Sequence, residues 1–178
     1  MNIGYNRWKS LFLFSLGLSL GAAFCMKWME SDLMVNNEQF TILGLELFYS
    51  NEKMENLLAS LDSRVRMILQ YHLYFDFAFM AGIYPAIAAF CMMSRKNQAS
   101  QSVRKLLSAL ALLQLIAWIA DIIENYYLLV WMPDPSIGSE FIWYHFIVAV
   151  KWIIALLAVM TAVAFLLWKM IKKTNGQA

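Results

Sequence analysis

The segment IADIIENYYLL, residues 119–129, places two carboxyl groups and an amide inside a run that is otherwise apolar. Asp121, Glu124 and Asn125 stand at relative positions i, i+3 and i+4, which share one face of a helix. Carboxyl groups in apolar surroundings can transfer a proton, bind a cation or a hydrogen-bond donor, or ligate a metal. Asp121 and Glu124 are therefore the first candidates for chemistry in this chain.

Two other apolar segments also carry ionisable side chains. His72 and Asp76 stand one helical turn apart in one of them, and His145 and Lys151 lie in the last. Counted from the ends of their segments at about 1.5 Å per residue, Asp76, Asp121 and Lys151 reach nearly the same depth. We therefore expect one polar layer in which Lys151 pairs with Asp76 and Asp121.

This polar layer predicts a pocket to which three helices contribute. A charge at the centre of a bilayer costs about 2.5–3.5 kcal/mol on insertion scales, so such groups face the protein interior and find partners there. The candidate binding residues are His72, Asp76, Gln114, Trp118, Asp121, Glu124, Asn125, His145, Lys151 and Trp152. The candidate catalytic residues are Asp121, Glu124 and Asp76. The alternative is a purely structural ion-pair cluster that fixes how the helices assemble.

Neither a metal nor an organic cofactor is expected at this site. The histidine and carboxyl groups have helical spacings that could surround a divalent cation, but the Lys151 ammonium would compete for the same carboxylates. The sequence contains no GxGxxG, P-loop, HExxH or CxxC pattern. The prediction is a site without a metal or a cofactor.

Membrane helices must position these residues, because the composition is that of a membrane protein. Of the 178 residues, 61% are hydrophobic and 15% charged, and the mean hydropathy is +0.56. Soluble domains are about 45–50% apolar and about 25% charged. Four apolar segments, 8–28, 67–93, 106–131 and 141–168, each meet the ~20 residues that a spanning helix needs. We predict an all-α integral membrane four-helix bundle that forms a single transmembrane domain over residues 1–178.

The distribution of charge predicts the orientation of these helices. The two termini and the connection 94–105 carry basic residues without acidic ones, whereas the connections 30–66 and 132–140 hold nine Asp and Glu residues. The positive-inside rule then places both termini in the cytoplasm. We predict a multi-pass membrane protein with both termini on the cytoplasmic side. The net charge of +2 is too small to indicate a nucleic-acid partner.

The first apolar segment resembles a secretory signal peptide, because Arg7 and Lys9 precede its apolar run. Gly17-x-x-x-Gly21, however, is a helix-packing pattern of membrane spans. We expect the segment to be retained, with these two glycines at a helix interface.

The acidic connection 30–66 is too long for a simple turn. Its apolar residues recur at helical spacing between positions 54 and 65, which predicts an amphipathic helix. Ser50 or Asn51 could cap the N-terminus of that helix. Two interpretations stay open: a helix that lies in the outer interface and packs on the bundle, or a lid over a site that opens outward.

The stretch LYFDFAFMAGIY, residues 73–84, followed by IADIIENYYLL, resembles a group of small bacterial four-span proteins. That group carries an Asp in the second helix and a D-x-x-E-N motif in the third, matched here by Asp76 and by Asp121, Glu124 and Asn125. The similarity includes the amphipathic outer connection and so covers most of the chain. It implies a multi-pass bacterial membrane protein.

By arrangement alone, the chain is also similar to emopamil-binding-type sterol isomerases. Those enzymes use a His and an acid one turn apart, an acid on the next helix, and aromatic walls. His72, Asp76 and either Asp121 or Glu124 match these roles, with Trp118 or Trp152 as the wall. The resemblance implies acid–base chemistry on a hydrophobic substrate, but Lys151 has no counterpart in it.

Several functions fit a buried polar pocket of this kind. The first is binding of a lipid-like or amphipathic small molecule, or of a partner membrane protein. The alternatives are an intramembrane acid–base enzyme, a proton-coupled permease and a structural membrane subunit. The expected partners are membrane lipid and either a hydrophobic small molecule or another membrane protein, with no nucleic acid.

Overall fold

The computed structural model describes the backbone of residues 3–96 and 98–175. Within these residues the chain forms six helices and one small hairpin: α1 (Ile3–Glu30), β1 (Met34–Val35), β2 (Glu38–Gln39), α2 (Ile42–Leu47), α3 (Asn51–Ala59), α4 (Ser63–Lys96), α5 (Gln101–Trp131) and α6 (Glu140–Asn175). The four long helices α1, α4, α5 and α6 are long and apolar enough to cross a membrane. Each contains one of the four predicted apolar segments, so the all-α prediction is confirmed.

The helix α4 is the centre of the arrangement, because α1, α5 and α6 all pack against it. The helices α5 and α6 also pack against each other, whereas α1 packs mainly on α4. The described residues therefore form a three-helix core of α4, α5 and α6, with α1 on one side of it.

The contact between α1 and α4 depends on a glycine of α4. A Cβ atom on Gly82 would lie 2.6 Å from the backbone oxygen of Ser15 and from the backbone nitrogen of Ser19. The predicted packing role of Gly17 and Gly21 is wrong, since a Cβ atom on either would meet no atom within 4 Å. The small residues that α1 buries are Ser15, Ser19 and Ala22, whose short side chains permit a close approach of helix backbones.

The connection between α1 and α4 folds into the hairpin and two short helices. Asn36 and Asn37 form the hairpin turn with φ values of 53° and 66°, a left-handed conformation that asparagine tolerates better than most residues. The predicted amphipathic helix is confirmed as α3, and Ser50 caps it by accepting a hydrogen bond from the backbone of Lys53. On its apolar face Met54 and Leu58 are fully buried.

The core of the molecule has two main apolar clusters at opposite ends of the long helices. We call the end that carries residues 31–62 and 132–139 the loop end, and the opposite end, which carries Arg95 and Arg104, the basic end. The loop-end cluster joins the connection to the three-helix core; it includes Leu33, Leu45, Met54, Leu58, Leu73, Leu128 and Tyr144. The basic-end cluster consists of Ile87, Cys91, Leu107, Leu110, Ala158 and Ala162. Asp76, Asp121 and Lys151 lie between these two clusters along their helices.

Candidate functional site

Lys151 of α6 is the centre of a buried charged cluster. Its side chain is only 5% exposed. The Nζ atom lies 2.6 Å from Asp121 Oδ1 and 2.5 Å from Glu124 Oε2, both on α5, and 3.3 Å from Glu46 Oε2 on α2. The expected pair of Lys151 with Asp121 is therefore present, and two further carboxyl groups share the same ammonium.

Glu46 was not among the predicted site residues, because it belongs to the connection rather than to a long helix. The helix α2 begins after Thr41, whose hydroxyl accepts a hydrogen bond from Gly44 N–H at 3.0 Å. This short helix packs on α6 and directs Glu46 toward Lys151, where the Glu46 carboxylate also accepts a hydrogen bond from Trp152 Nε1 at 3.1 Å. One signal was available in the sequence, since Glu46 is the one charged residue in the apolar stretch 40–48.

Tyr84 of α4 is the second residue that the sequence did not predict. Its hydroxyl donates a hydrogen bond to Asp121 Oδ2 at 2.7 Å, and its side chain is buried. Because Lys151 contacts the other oxygen, both oxygens of Asp121 have partners. The sequence signal is weak, because tyrosine is also common at membrane interfaces without any such role.

Asp76 does not pair with Lys151, so this part of the prediction is wrong. Its Oδ2 atom instead accepts a hydrogen bond from Asn125 Nδ2 at 2.7 Å. An ammonium group has three donors, and Asp121, Glu124 and Glu46 already surround it. Among the described residues, no cationic group lies within the 4.0 Å ion-pair distance of Asp76.

Four of the predicted pocket residues lie outside the charged cluster. Gln114 is buried but donates its hydrogen bond to the Leu110 carbonyl of its own helix, at 3.1 Å. Trp118 packs in a small apolar group with Met80 and Tyr84. The other two are the histidines. His72 is buried, and the centre of the His145 ring lies 4.3 Å from the centre of the Phe141 ring. The structure thus brings together Asp76, Asp121, Glu124, Asn125, Lys151 and Trp152 of the predicted set.

A cavity of about 290 Å³ lies beside this cluster, between α4 and α6. Its polar end is formed by Glu46, Asp76, Asp121, Lys151 and Trp152, together with the Tyr84 hydroxyl. Its apolar walls are formed by Phe79, Ile83 and Ile87 of α4 and by Ala155, Leu156 and Val159 of α6. Leu156 is 52% exposed, so the cavity reaches the outer surface of the helices in their apolar part. Glu124 is fully buried and is not part of the lining.

The charges in and beside this cavity do not balance. Four carboxyl groups, those of Glu46, Asp76, Asp121 and Glu124, accompany the single ammonium of Lys151. A buried charge without a counter-charge costs several kcal/mol even after the protein relaxes around it. In the described part of the chain, no three His, Cys, Asp or Glu side chains are arranged to hold a metal ion. Protons on the carboxyl groups, or a cationic ligand beside them, would therefore reduce this excess of negative charge.

No protein-family model, curated protein or solved structure matches this chain. The likeness to the bacterial four-span group stays a prediction. For the sterol isomerase arrangement, the histidine role has no geometric support, since His72 is not within ion-pair distance of Asp76.

Proposed function

We propose that this chain is a multi-pass protein of the bacterial inner membrane that binds a lipid-like amphipathic molecule in the cavity between α4 and α6. The observation that supports this proposal is the lining of the cavity. One end offers charged and hydrogen-bonding groups around Lys151 and Asp76, and the remaining walls are aliphatic and aromatic. A ligand with a polar head and an alkyl tail matches both parts.

The size and the opening of the cavity favour the same ligand class. Small-molecule pockets commonly have volumes of about 300–1,000 Å³, and this cavity, at about 290 Å³, is near the lower limit. It has room for a head group and the first part of a tail. The half-exposed Leu156 on its rim lies in an apolar stretch of α6, so the rest of the tail would continue into the surrounding acyl chains.

The enzyme alternative has weaker support from this geometry. Glu124 does not line the cavity, and both oxygens of Asp121 already have partners. Asp76 is the acid that remains available to a substrate, and its neighbour there is the neutral amide of Asn125. The other carboxylate of the lining, Glu46, is held by Lys151 and Trp152, so a proton-transfer mechanism that needs two free carboxyl groups on the substrate lacks its second group.

The permease alternative lacks a path through the core. At the basic end the interior is filled by the apolar cluster around Leu107 and Ala158, both fully buried. A permeating ion would have to cross this layer, so transport would require the helices to separate there.

Photo-crosslinking tests the proposed function directly. A dodecanol-like probe that carries a diazirine on its chain would be added to the protein in lipid nanodiscs, and the crosslinked peptides would be mapped by mass spectrometry. We expect crosslinks concentrated in residues 79–87 and 152–159, because these residues line the apolar walls. Unlabelled amphiphile in excess should compete for these crosslinks.

A pair of variants on α6 provides the control. Ala155→Phe places a large side chain in the cavity, and Ala149→Phe places the same side chain on an exposed face of the same helix. We expect the crosslinks of the probe to residues 79–87 and 152–159 to disappear in the first variant and to persist in the second. Uniform labelling of all four long helices, unchanged by Ala155→Phe, would contradict the proposal.

A further inference from the structure

We propose that the ligand of this cavity is an amphiphile with a primary ammonium head, and that Asp76 is the residue that binds the head. This inference rests on the proposed function, and it adds the charge of the ligand and the residue that selects it.

The charge at the polar end of the cavity argues for a cationic head. Lys151 already faces three carboxyl groups, those of Asp121, Glu124 and Glu46. Its three donors cannot also serve Asp76. A carboxylate or phosphate head would add negative charge to this set, whereas an ammonium head would reduce the excess.

Asp76 has the position and the unused capacity that this role requires. It lines the cavity, and Asn125 holds one of its oxygens through a hydrogen bond of 2.7 Å. That hydrogen bond orients the carboxylate but brings no positive charge. No side chain among the described residues forms an ion pair with Asp76. Charge-assisted hydrogen bonds between an ammonium and a carboxylate are among the strongest that proteins make.

A buried acceptor in the same cluster independently indicates a shortage of donors. Glu124 is fully buried, and neither of its carboxyl oxygens has a hydrogen-bond partner of good geometry among the described residues, although Oε2 lies 2.5 Å from Lys151 Nζ. Native proteins leave few buried polar atoms unmatched, and such exceptions call for an explanation. A second ammonium at Asp76 and Asp121 would allow Lys151 to direct its protons toward Glu124.

The aromatic lining also suits a positive head group. Lys151 Nζ lies 5.9 Å from the centre of the Trp152 ring, so one cation already occupies the face of this tryptophan. Phe79 and Tyr84 line the α4 side of the same cavity. A ligand cation next to Asp76 would therefore have aromatic groups as well as carboxylates around it.

The test compares three competitors that differ in the head group alone: dodecylamine, dodecanol and dodecanoate. Each would displace the diazirine probe from the protein in nanodiscs of a neutral lipid at pH 7. We expect the wild-type protein to prefer the amine over the alcohol by roughly tenfold or more, and to bind the carboxylate most weakly. In Asp76→Asn, the ratio of amine to alcohol competition should fall roughly tenfold from its wild-type value, while dodecanol competes as before.

Comparing the amine-to-alcohol ratio of the wild type with that of the variant removes the effect of bilayer partitioning. The three amphiphiles partition differently into the bilayer, but each reaches the same local concentration around either protein. Asp134→Asn is the matched control, because it makes the same chemical change on an exposed aspartate of the α5–α6 connection; the amine preference should persist in it. Unchanged dodecanol competition in Asp76→Asn shows that the variant is folded.

The outcomes separate the two proposals. An amine-to-alcohol ratio that is the same in the wild type and in Asp76→Asn overturns the inference and leaves the proposed function standing. Failure of all three competitors to displace the probe overturns both.

Discussion

The loop-end and basic-end halves of α4, α5 and α6 bury their facing surfaces with different side chains. At the basic end, the helices meet through Ile87, Leu107 and Ala158 and their apolar neighbours, and none of the ion pairs formed by described residues lies there. Nearer the loop end, the same three helices surround Lys151, its carboxyl partners and a cavity.

This difference indicates that the charged cluster is not needed merely to join the helices. The basic-end half shows that apolar packing joins them without ion pairs. Interhelical hydrogen bonds in membranes contribute about 0.6–2 kcal/mol each, whereas a buried charge that loses its partner costs about 3–5 kcal/mol. A cavity beside the cluster, where tight packing would be expected of a structural element, favours a binding role.

The largest effect is expected from Lys151→Met, which leaves three carboxyl groups without their shared counter-ion. We expect it to lower the free energy of unfolding by about 3–5 kcal/mol, measured by titration with SDS in mixed micelles. Adding Asp121→Asn and Glu124→Gln should restore more than half of the loss, because two of the three carboxyl groups are then replaced by neutral amides of similar shape and only that of Glu46 still lacks its counter-ion. If the triple variant is as unstable as Lys151→Met alone, the loss comes from packing of the lysine stem.

The second prediction concerns the apolar half. Ala158 is fully buried where α6 meets the other two helices, so Ala158→Leu should force them apart and cost about 1–3 kcal/mol. Ala149→Leu, on an exposed face of the same helix, is its control and should be nearly neutral. Ile87 belongs both to this cluster and to the apolar wall of the cavity, but the polar end of the cavity lies nearer the loop end, so the preference of the cavity for dodecylamine should remain in Ala158→Leu. Loss of binding at preserved stability would show that the halves are coupled.

The sequence predicts the fold well because long apolar segments have few alternatives in a membrane. Each of the four segments lies within one helix, since a spanning chain must satisfy its backbone hydrogen bonds internally. The packing of α1 was predicted wrongly because small residues on two faces of a helix give the same sequence signal. Gly17 and Gly21 form one such face and Ser15 and Ser19 the other, and only contact with Gly82 decides between them.

The site was predicted in part, because one helix face follows from spacing while partners on other elements do not. The shared face of Asp121, Glu124 and Asn125 follows from their i, i+3 and i+4 positions; the first two contact Lys151, and Asn125 binds Asp76 instead. Glu46 enters the site through the tertiary packing of α2, which no local pattern encodes. The Glu46 carboxylate takes the third position around the Lys151 ammonium, and Asp76 has no ion pair with that ammonium.

The third prediction tests how α2 is held to the charged half. Glu46→Ala removes the acceptor for Trp152 Nε1 and one contact of Lys151, so we expect a loss of about 1–2 kcal/mol. Amide hydrogen exchange should rise in residues 42–47 while it stays unchanged in the basic-end half. Glu46→Gln keeps an acceptor for Trp152 and lowers the excess of negative charge, so it should cost less than Glu46→Ala. Exchange equal to that of the wild type in both variants would mean that the apolar residues of α2, such as Leu45, hold it without Glu46.

The smallest effect is expected where the loop end is joined to the α5–α6 connection. Glu55 of α3 accepts a hydrogen bond from Ile137 N–H at 2.8 Å, and Asn51 donates one to the Ile137 carbonyl at 3.0 Å. Glu55→Ala should therefore cost about 0.5–1.5 kcal/mol and speed the exchange of the Ile137 amide, which loses its acceptor. The exposed Glu52 in the first turn of the same helix is the matched control: Glu52→Ala should leave the exchange of the Ile137 amide unchanged and cost only the few tenths of a kcal/mol that a carboxylate near a helix N-terminus contributes. Because this contact lies outside the cavity, competition by dodecylamine should be the same in both variants. A weaker amine preference in Glu55→Ala alone would instead show that the connection sets the geometry of the polar end, and that the loop-end half acts as one unit.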